Sequence, residues 1–270
     1  MNRSRLYKRT AELEIKPVSG ASKTFSSPPF RIDFETEFDR FSSTKIKLYN
    51  PNQDTIDSVA SQKIAGELQY AKLFLTAGYE DSAGVVVAGS IYKYSNKKQG
   101  ADRILELQST EQASSWSESV FRKNYKDFPA QLIILDLLEK SDILIGKIEL
   151  KNNILLNYTS STLKKSVDDI CRMTESEFYF KENRIYIQPV GYSPIPSQIL
   201  LDYSSGLIDR PEKIENKKWK IKSLFRHEFR LNQVLYVKGG DLDSQIKIIK
   251  GKSRFSSHAD SNSDFEGVEV

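Results

Sequence analysis

The sequence predicts a mainly β fold with an α+β insert between two barrel-like segments. Short stretches alternating apolar and polar residues fill the first 110 positions, and they return from residue 199 to the end. Helical periodicity is concentrated between them. The expected domains are therefore 1–120, a first barrel; 121–197, an insert of two helices and a hairpin; and 198–270, a second barrel.

Residues 6–15 begin with strand character, and "KPVSGASKTFSSPPF" reads as a long Ser/Pro/Gly loop. In "FRIDFETEF", Ile32, Phe34 and Phe38 point one way and Asp33, Glu35 and Glu37 the other, the period of two that a half-buried strand needs. "TKIKLYNP" repeats the pattern through Ile46 and Leu48 until Asn50-Pro51 stops it. A short helix follows, with Asp54 as its expected N-cap and Ile56, Val59 and Ile64 as its buried stripe. "YAKLFLTAGYE", "GVVVAGSIYKYS" and "ADRILELQST" are strands, with turns at Glu80-Asp81 and around Lys98-Gly100.

The insert opens on "AQLIILDLLEK", too apolar for a loop and read as a mostly buried helix. "SSTLKKSVDDICRMT" is a second helix, capped by Ser160 or Ser161, with Leu163, Val167, Ile170, Cys171 and Thr174 on one face. "EFYFKENRIYIQP" is a hairpin that places Phe178 and Phe180 on the side of Ile185 and Ile187, turning at Glu182-Asn183. After residue 199, "QILLDYS", "KWKIKSLF", "NQVLYVKG", "SQIKIIKGKSRF" and the closing "FEGVEV" read as strands.

Composition narrows the function. The 270 residues carry a net charge of +4, but residues 1–120 hold 16 basic and 15 acidic side chains and residues 121–270 hold 24 and 21. Such an even spread disfavours a nucleic-acid reader, and "KIENKKWKIK" is expected to be a solvated loop and strand face. No apolar run reaches the roughly twenty residues of a membrane helix. "MNRSRLYKRT" lacks the apolar stretch of a secretion signal, and the single Cys171 fits a reducing compartment.

Chemistry is conspicuously thin. No sequence-near carboxylate or thiol suggests a site around His227 or His258, and His227 in "FRHEF" reads as a rim or strand residue. Two histidines and one cysteine make no metal set, and Cys171 on an apolar helix face reads as a small buried hydrophobe. "GYEDSAG" and "DLDSQ" are turns with too few alternating carboxylates for calcium, and "VKGGD" is a hairpin turn and not a phosphate loop. Asp168 and Asp169 diverge by about 100° on a helix and cannot grip one substrate. The expectation is no catalytic, cofactor or metal residue, and no enzyme.

Three stretches resemble the baseplate hub, or tail-hub, proteins of phages and phage-like particles. The first is "FRIDFETEFDRFSSTKIKLYNPNQDTIDSV" with "LFLTAGYEDSAGVVVAGSIYKYSNKKQGADRILELQST"; the second is "SSTLKKSVDDICRMTESEFYFKENRIYI". The third runs from "LLDYSSGLIDRPEK" through "IKSLFRHEFRLNQVLYV" to "IKIIKGKSRF" and "DFEGVEV". The resemblance implies two tube-protein-like barrels flanking the insert and a structural role in a virion tail, with assembly in the host cytoplasm. It implies a homotrimeric ring between the tail tube, or a tube adaptor, and a central spike or tail-tip protein, with a tape-measure protein as a further neighbour. It implies neither membrane nor specific nucleic-acid binding, and the chain is short for the family, so peripheral domains of larger hubs are expected to be missing. "LLDYSSGLIDRPEK" would be the entry into the second barrel, with Tyr203 anchoring the strand, Gly206 easing the break and Pro211 enforcing extended backbone. A surface loop without special role is the plain alternative for that segment. For the whole chain the alternatives are a carbohydrate- or ligand-binding β module and an oligonucleotide-binding barrel.

Overall fold

The computed structural model describes residues 8–39, 42–64, 67–111, 116, 119–141, 143–181, 184–192 and 199–270. The first segment contains β1 (Arg9–Lys16), β2 (Lys23–Ser27), β3 (Ile32–Phe38), β4 (Ser43–Tyr49), α1 (Gln53–Ser58), β5 (Gln62–Ile64), β6 (Glu67–Gln69), β7 (Lys72–Tyr79), β8 (Ser82–Gln99) and β9 (Asp102–Thr110). The middle contains β10 (Asn124–Pro129), α2 (Ala130–Glu139), β11 (Leu144–Ile148), β12 (Leu155–Thr159), α3 (Leu163–Met173), β13 (Ser176–Lys181) and β14 (Arg184–Pro189). The last contains β15 (Leu200–Leu201), β16 (Glu212–Glu215), β17 (Lys218–Leu224), β18 (Val234–Gly239), β19 (Leu242–Ser256) and β20 (Asn262–Glu269). The protein is mainly β with a small helical part.

The chain forms two compact units, one of Met1–Thr110 with Ser193–Val270 and one of Glu111–Tyr192. In the first unit a single thirteen-stranded sheet runs β16-β17-β20-β19-β3-β4-β9-β8-β7-β1-β2, with β18 and β15 attached beside β19. The segments expected as first and last domains thus share one sheet, joined where β3 pairs antiparallel with β19, Phe34 opposite Phe255. They keep largely distinct cores. Leu13, Phe25, Ile46, Leu48, Leu75 and Leu107 pack in one, which also takes Phe225 and Phe255 from the last segment. Trp219, Ile221, Leu235, Val237, Ile246 and Phe265 pack in the other, with Phe38 from the first. A fifteen-residue β19 is long enough to wall both.

Alternation places the side chains as expected in β3, where Ile32, Phe34 and Phe38 are buried. The turns at Glu80-Asp81 and Gly240-Asp241 are tight two-residue links, with Tyr79 opposite Ser82 and Gly239 opposite Leu242. Several local expectations are corrected. The N-cap of α1 is Asn52, whose Oδ1 accepts from Thr55 N at 2.9 Å, while Asp54 sits in the first turn. Ile64 lies in β5 and is 42% exposed, so it is not in the buried stripe. The long polar loop holds β2, which hides Phe25 under β1.

The second unit pairs β10 with β12 and builds a three-stranded sheet in the order β11-β14-β13. Phe178, Phe180, Ile185 and Ile187 share its buried side, against Trp116. The hairpin's turn at Glu182-Asn183 lies outside the described residues. Helix α3 buries Leu163, Val167, Ile170 and Cys171 as its spacing demands, but Thr162, not Ser160 or Ser161, caps it through Lys165 N. Ser160 instead accepts from Lys123 N at 3.0 Å, fastening the strand before the helix. Asp136 on α2 accepts from Tyr125 at 2.5 Å and from Lys123 at 2.9 Å, and these bonds hold its carboxyl down at about 2.

Segment 200–211 answers for itself locally. Asp202 Oδ1 accepts from the backbone of Ser204 at 2.9 Å and of Ser205 at 2.8 Å, an Asx turn, and Leu207 N returns to Asp202 O at 2.8 Å. Gly206 takes φ +116°, which an L side chain rarely adopts, and Pro211 is buried ahead of β16. Tyr203 is 57% exposed, so the anchor is the Asp202 carboxylate and not the tyrosine ring.

Candidate assembly face

Where one face of a strand is buried, the polar positions between must gather on the other. Here they gather by sign. On β17 the outward residues are Lys218, Lys220 and Lys222; on β20, Asp264 and Glu266; on β19, Lys250, Lys252 and Arg254. On β3 they are Asp33, Glu35 and Glu37; on β4, Lys45 and Lys47; on β9, Glu106; and on β8, Lys93 and Lys97. Register sets opposite charges side by side: Lys220 and Lys250 flank Glu266, Lys252 lies between Asp264 and Glu37, and Lys45 faces Glu35.

The contacts follow. Glu266 receives Lys250 at 2.9 Å and Lys218 at 3.2 Å, Glu35 receives Lys252 at 2.6 Å and Arg254 at 3.0 Å, and Glu106 receives Lys97 at 2.6 Å. Hydrogen bonding from Lys250 lowers the Glu266 carboxyl, and Lys97 does the same for Glu106. At Glu35 burial pulls the carboxyl up, but the bonds from Lys252 and Arg254 outweigh it and leave it below the usual range. Lys220, Lys250, Lys252, Asp264 and Glu266 wall a depression of about 320 Å³. Its charges are already matched to one another. Sign changes from each of these strands to the next, so no broad single-sign track for phosphates forms.

The residues weighed as chemical candidates have structural surroundings. His227 follows β17 and packs so closely on Gly84 that a Cβ there would lie 2.3 Å from its Cδ2. Its Nδ1 is 3.3 Å from Glu228 Oε2 without the alignment of a hydrogen bond, and burial lowers its pKa. His258 is in an exposed loop with Nδ1 2.8 Å from Ser257 Oγ. Cys171 is 2% exposed. Asp169 takes Arg172 at 2.5 Å while Asp168 stands 3.6 Å from the same guanidinium, so both serve the helix surface. Among the described residues no group of three or more metal-ligating side chains occurs, and no helix is long and apolar enough to cross a membrane. The charged face escaped the sequence reading, although its signal was there: acids fill the polar positions of "RIDFETEF" and bases those of "TKIKLY" and "KGKSR".

No family model matches the chain, and no curated protein does. Solved structures do. A tail protein from Neisseria meningitidis superposes with a TM-score of 0.68 at 10% identity, covering 96% of both chains. This is the fold of phage tail proteins. The 43 kDa tail protein of prophage MuSo2 from Shewanella oneidensis gives 0.66 at 7% identity, over 96% of this chain and 98% of that one. An Escherichia coli component of the type VI secretion system, described as structurally similar to the T4 bacteriophage tail proteins gp27 and gp5, gives 0.62 at 10% identity, over 95% and 76%. The tail-protein fold spans both units of the chain, insert included.

Proposed function

We propose that the chain is a structural tail component of a phage or phage-like particle, a hub ring joining a six-fold tail tube to a three-fold spike or tail tip. The observation that carries this is the tail-protein fold over 96% of the chain. The two cores on one sheet fit a pair of related barrels, residues 1–120 and 198–270, flanking the insert. Three copies then offer six similar units to a tube while the assembly stays three-fold at its other end. The tube or an adaptor, the spike or tip, and the tape-measure protein are its partners; it catalyses no reaction, and binds no membrane and no specific nucleic acid. Its place is the virion tail, reached from the host cytoplasm. Quantitative mass spectrometry of purified tail particles tests the reading: three copies per tail are expected, and absence from the particle defeats it.

A further inference from the structure

We propose that the insert carries a saccharide-binding platform, on which a pyranose ring of a β-linked glycan lies flat against Tyr179 and Tyr186. This adds a ligand to the insert and does not depend on the tail role.

The core does not account for these two rings. Phe178, Phe180, Ile185 and Ile187 fill one side of the β11-β14-β13 sheet, so alternation sends Tyr179 and Tyr186 to the other. There they face each other across β13 and β14, with ring centroids 5.3 Å apart and planes 11° from parallel. β14 lies between the other two strands, so Tyr186 meets β11 on its far side. Its outer carbons Cζ, Cε1 and Cε2 crowd Gly146 so closely that a Cβ there would lie 2.4 to 2.6 Å from them. A glycine at the bulge of β11 is what lets this ring lie down. Tyr179 then overlaps Tyr186 as one shingle overlaps the next. Both rings are only half-buried, which leaves aromatic surface open to water.

A third ring borders the pair. Gly191 takes φ +77° and Tyr192 N donates to Pro189 O at 3.0 Å. The turn brings the Tyr192 ring to 5.9 Å from Nζ of Lys147, the residue opposite Tyr186 on β11. In the adjoining row Gln188, 7% exposed, donates through Nε2 to Glu177 Oε1 at 3.0 Å. An ordered amide and carboxylate therefore stand beside the tyrosines. Burial pushes the Tyr179 hydroxyl up to about 12, so at neutral pH it keeps its proton and can donate.

This combination selects the ligand. Aromatic faces are electron-rich, and the axial C–H bonds of an all-equatorial pyranose offer them a flat, weakly positive apolar surface. The equatorial hydroxyls point outward in the plane of the sugar, where phenol, amide and carboxylate can exchange hydrogen bonds with them. A proline-rich peptide needs a slot between rings, and rings stacked on each other leave none. A polyanion is disfavoured because Lys147 is held by Glu149 at 2.6 Å and Glu177 adds a further negative charge.

The test uses the full-length chain. Chitohexaose and cellohexaose are titrated into it by calorimetry, and hydroxyl-radical footprints are read by mass spectrometry with and without saturating sugar. At least one of the two should bind and protect Tyr179 and Tyr186, while the exposed Tyr203 and Tyr236 of the other unit react as before. Tyr179→Ala should weaken binding about tenfold, and Tyr179→Phe much less. The footprint of the native chain decides the matter even where Tyr179→Ala fails to fold. Binding of neither sugar, protection confined to other tyrosines, or full affinity in a folded Tyr179→Ala chain overturns the platform. So does decaproline protecting these two rings where both sugars fail.

Discussion

Lys252 Nζ lies 2.6 Å from Glu35 Oε1 across the line where β19 meets β3, and Arg254 Nε holds the other oxygen at 3.0 Å. One carboxylate from the first segment therefore binds two cations from the last, at the only direct strand pairing between those segments among the described residues. Glu35→Gln should cost about 1 kcal/mol, since two charge-assisted bonds weaken at a partly exposed site. The sign with pH is fixed by the lowered carboxyl: its contribution is present above the usual glutamate range near 4.5 and fades as pH falls through the folded value. Urea melts from pH 7 to 3 should show the two proteins converging at the acid end. A constant gap would contradict the assignment.

Gly251 stands in β19 opposite Phe38 on one side and Phe265 on the other. A Cβ there would lie 2.3 Å from Phe38 Cε2 and 2.6 Å from Phe265 Cβ, so the Phe38 ring and the Phe265 side chain at its root must both shift to admit a methyl group. Gly251→Ala is expected to destabilise by roughly 1–3 kcal/mol through overpacking. Equilibrium denaturation checks it, and an unchanged midpoint would mean that the two rings are loosely held.

How much of this was legible in the sequence depends on range. β3, β4, β7 and β17 were readable because alternation is encoded within each strand. β2 was not, since "KTFSS" offers a single large apolar residue, and β16 was not, since "EKIE" is exposed throughout. Capping erred by one or two positions because Asn52 and Thr162 stand among other capable residues. The pairing of Phe34 with Phe255 joins residues more than two hundred positions apart, and nothing local specifies such a register. That is why the sheet shared by the first and last segments lay beyond local patterning, and why the charged face, assembled from remote strands, emerges only once the strands are placed.

His227 gives a second pH dependence. Burial against Gly84 lowers its pKa, with Glu228 opposing and Arg226 and Arg230 assisting, so the folded state favours the neutral ring. Stability should be full above the usual value of 6.5 and decline as pH falls below it, because the unfolded chain takes up the proton first. Melting temperatures from pH 7.5 to 5 should fall for the native chain and stay flatter for His227→Gln. Parallel curves would place the titration elsewhere.

Cys171 is buried on α3 among Val167 and Ile170. Cys171→Ala should cost about 1 kcal/mol through a small cavity and leave assembly intact. The native thiol should resist a bulky maleimide until the chain is unfolded; fast labelling of the folded protein would contradict its burial.

Cryo-EM of a purified tail tip tests the central claim most directly. The account predicts three copies on the tail axis, each contributing two related barrel units to one pseudo-six-fold layer. Six identical copies in that layer, or no copy on the axis, would contradict it.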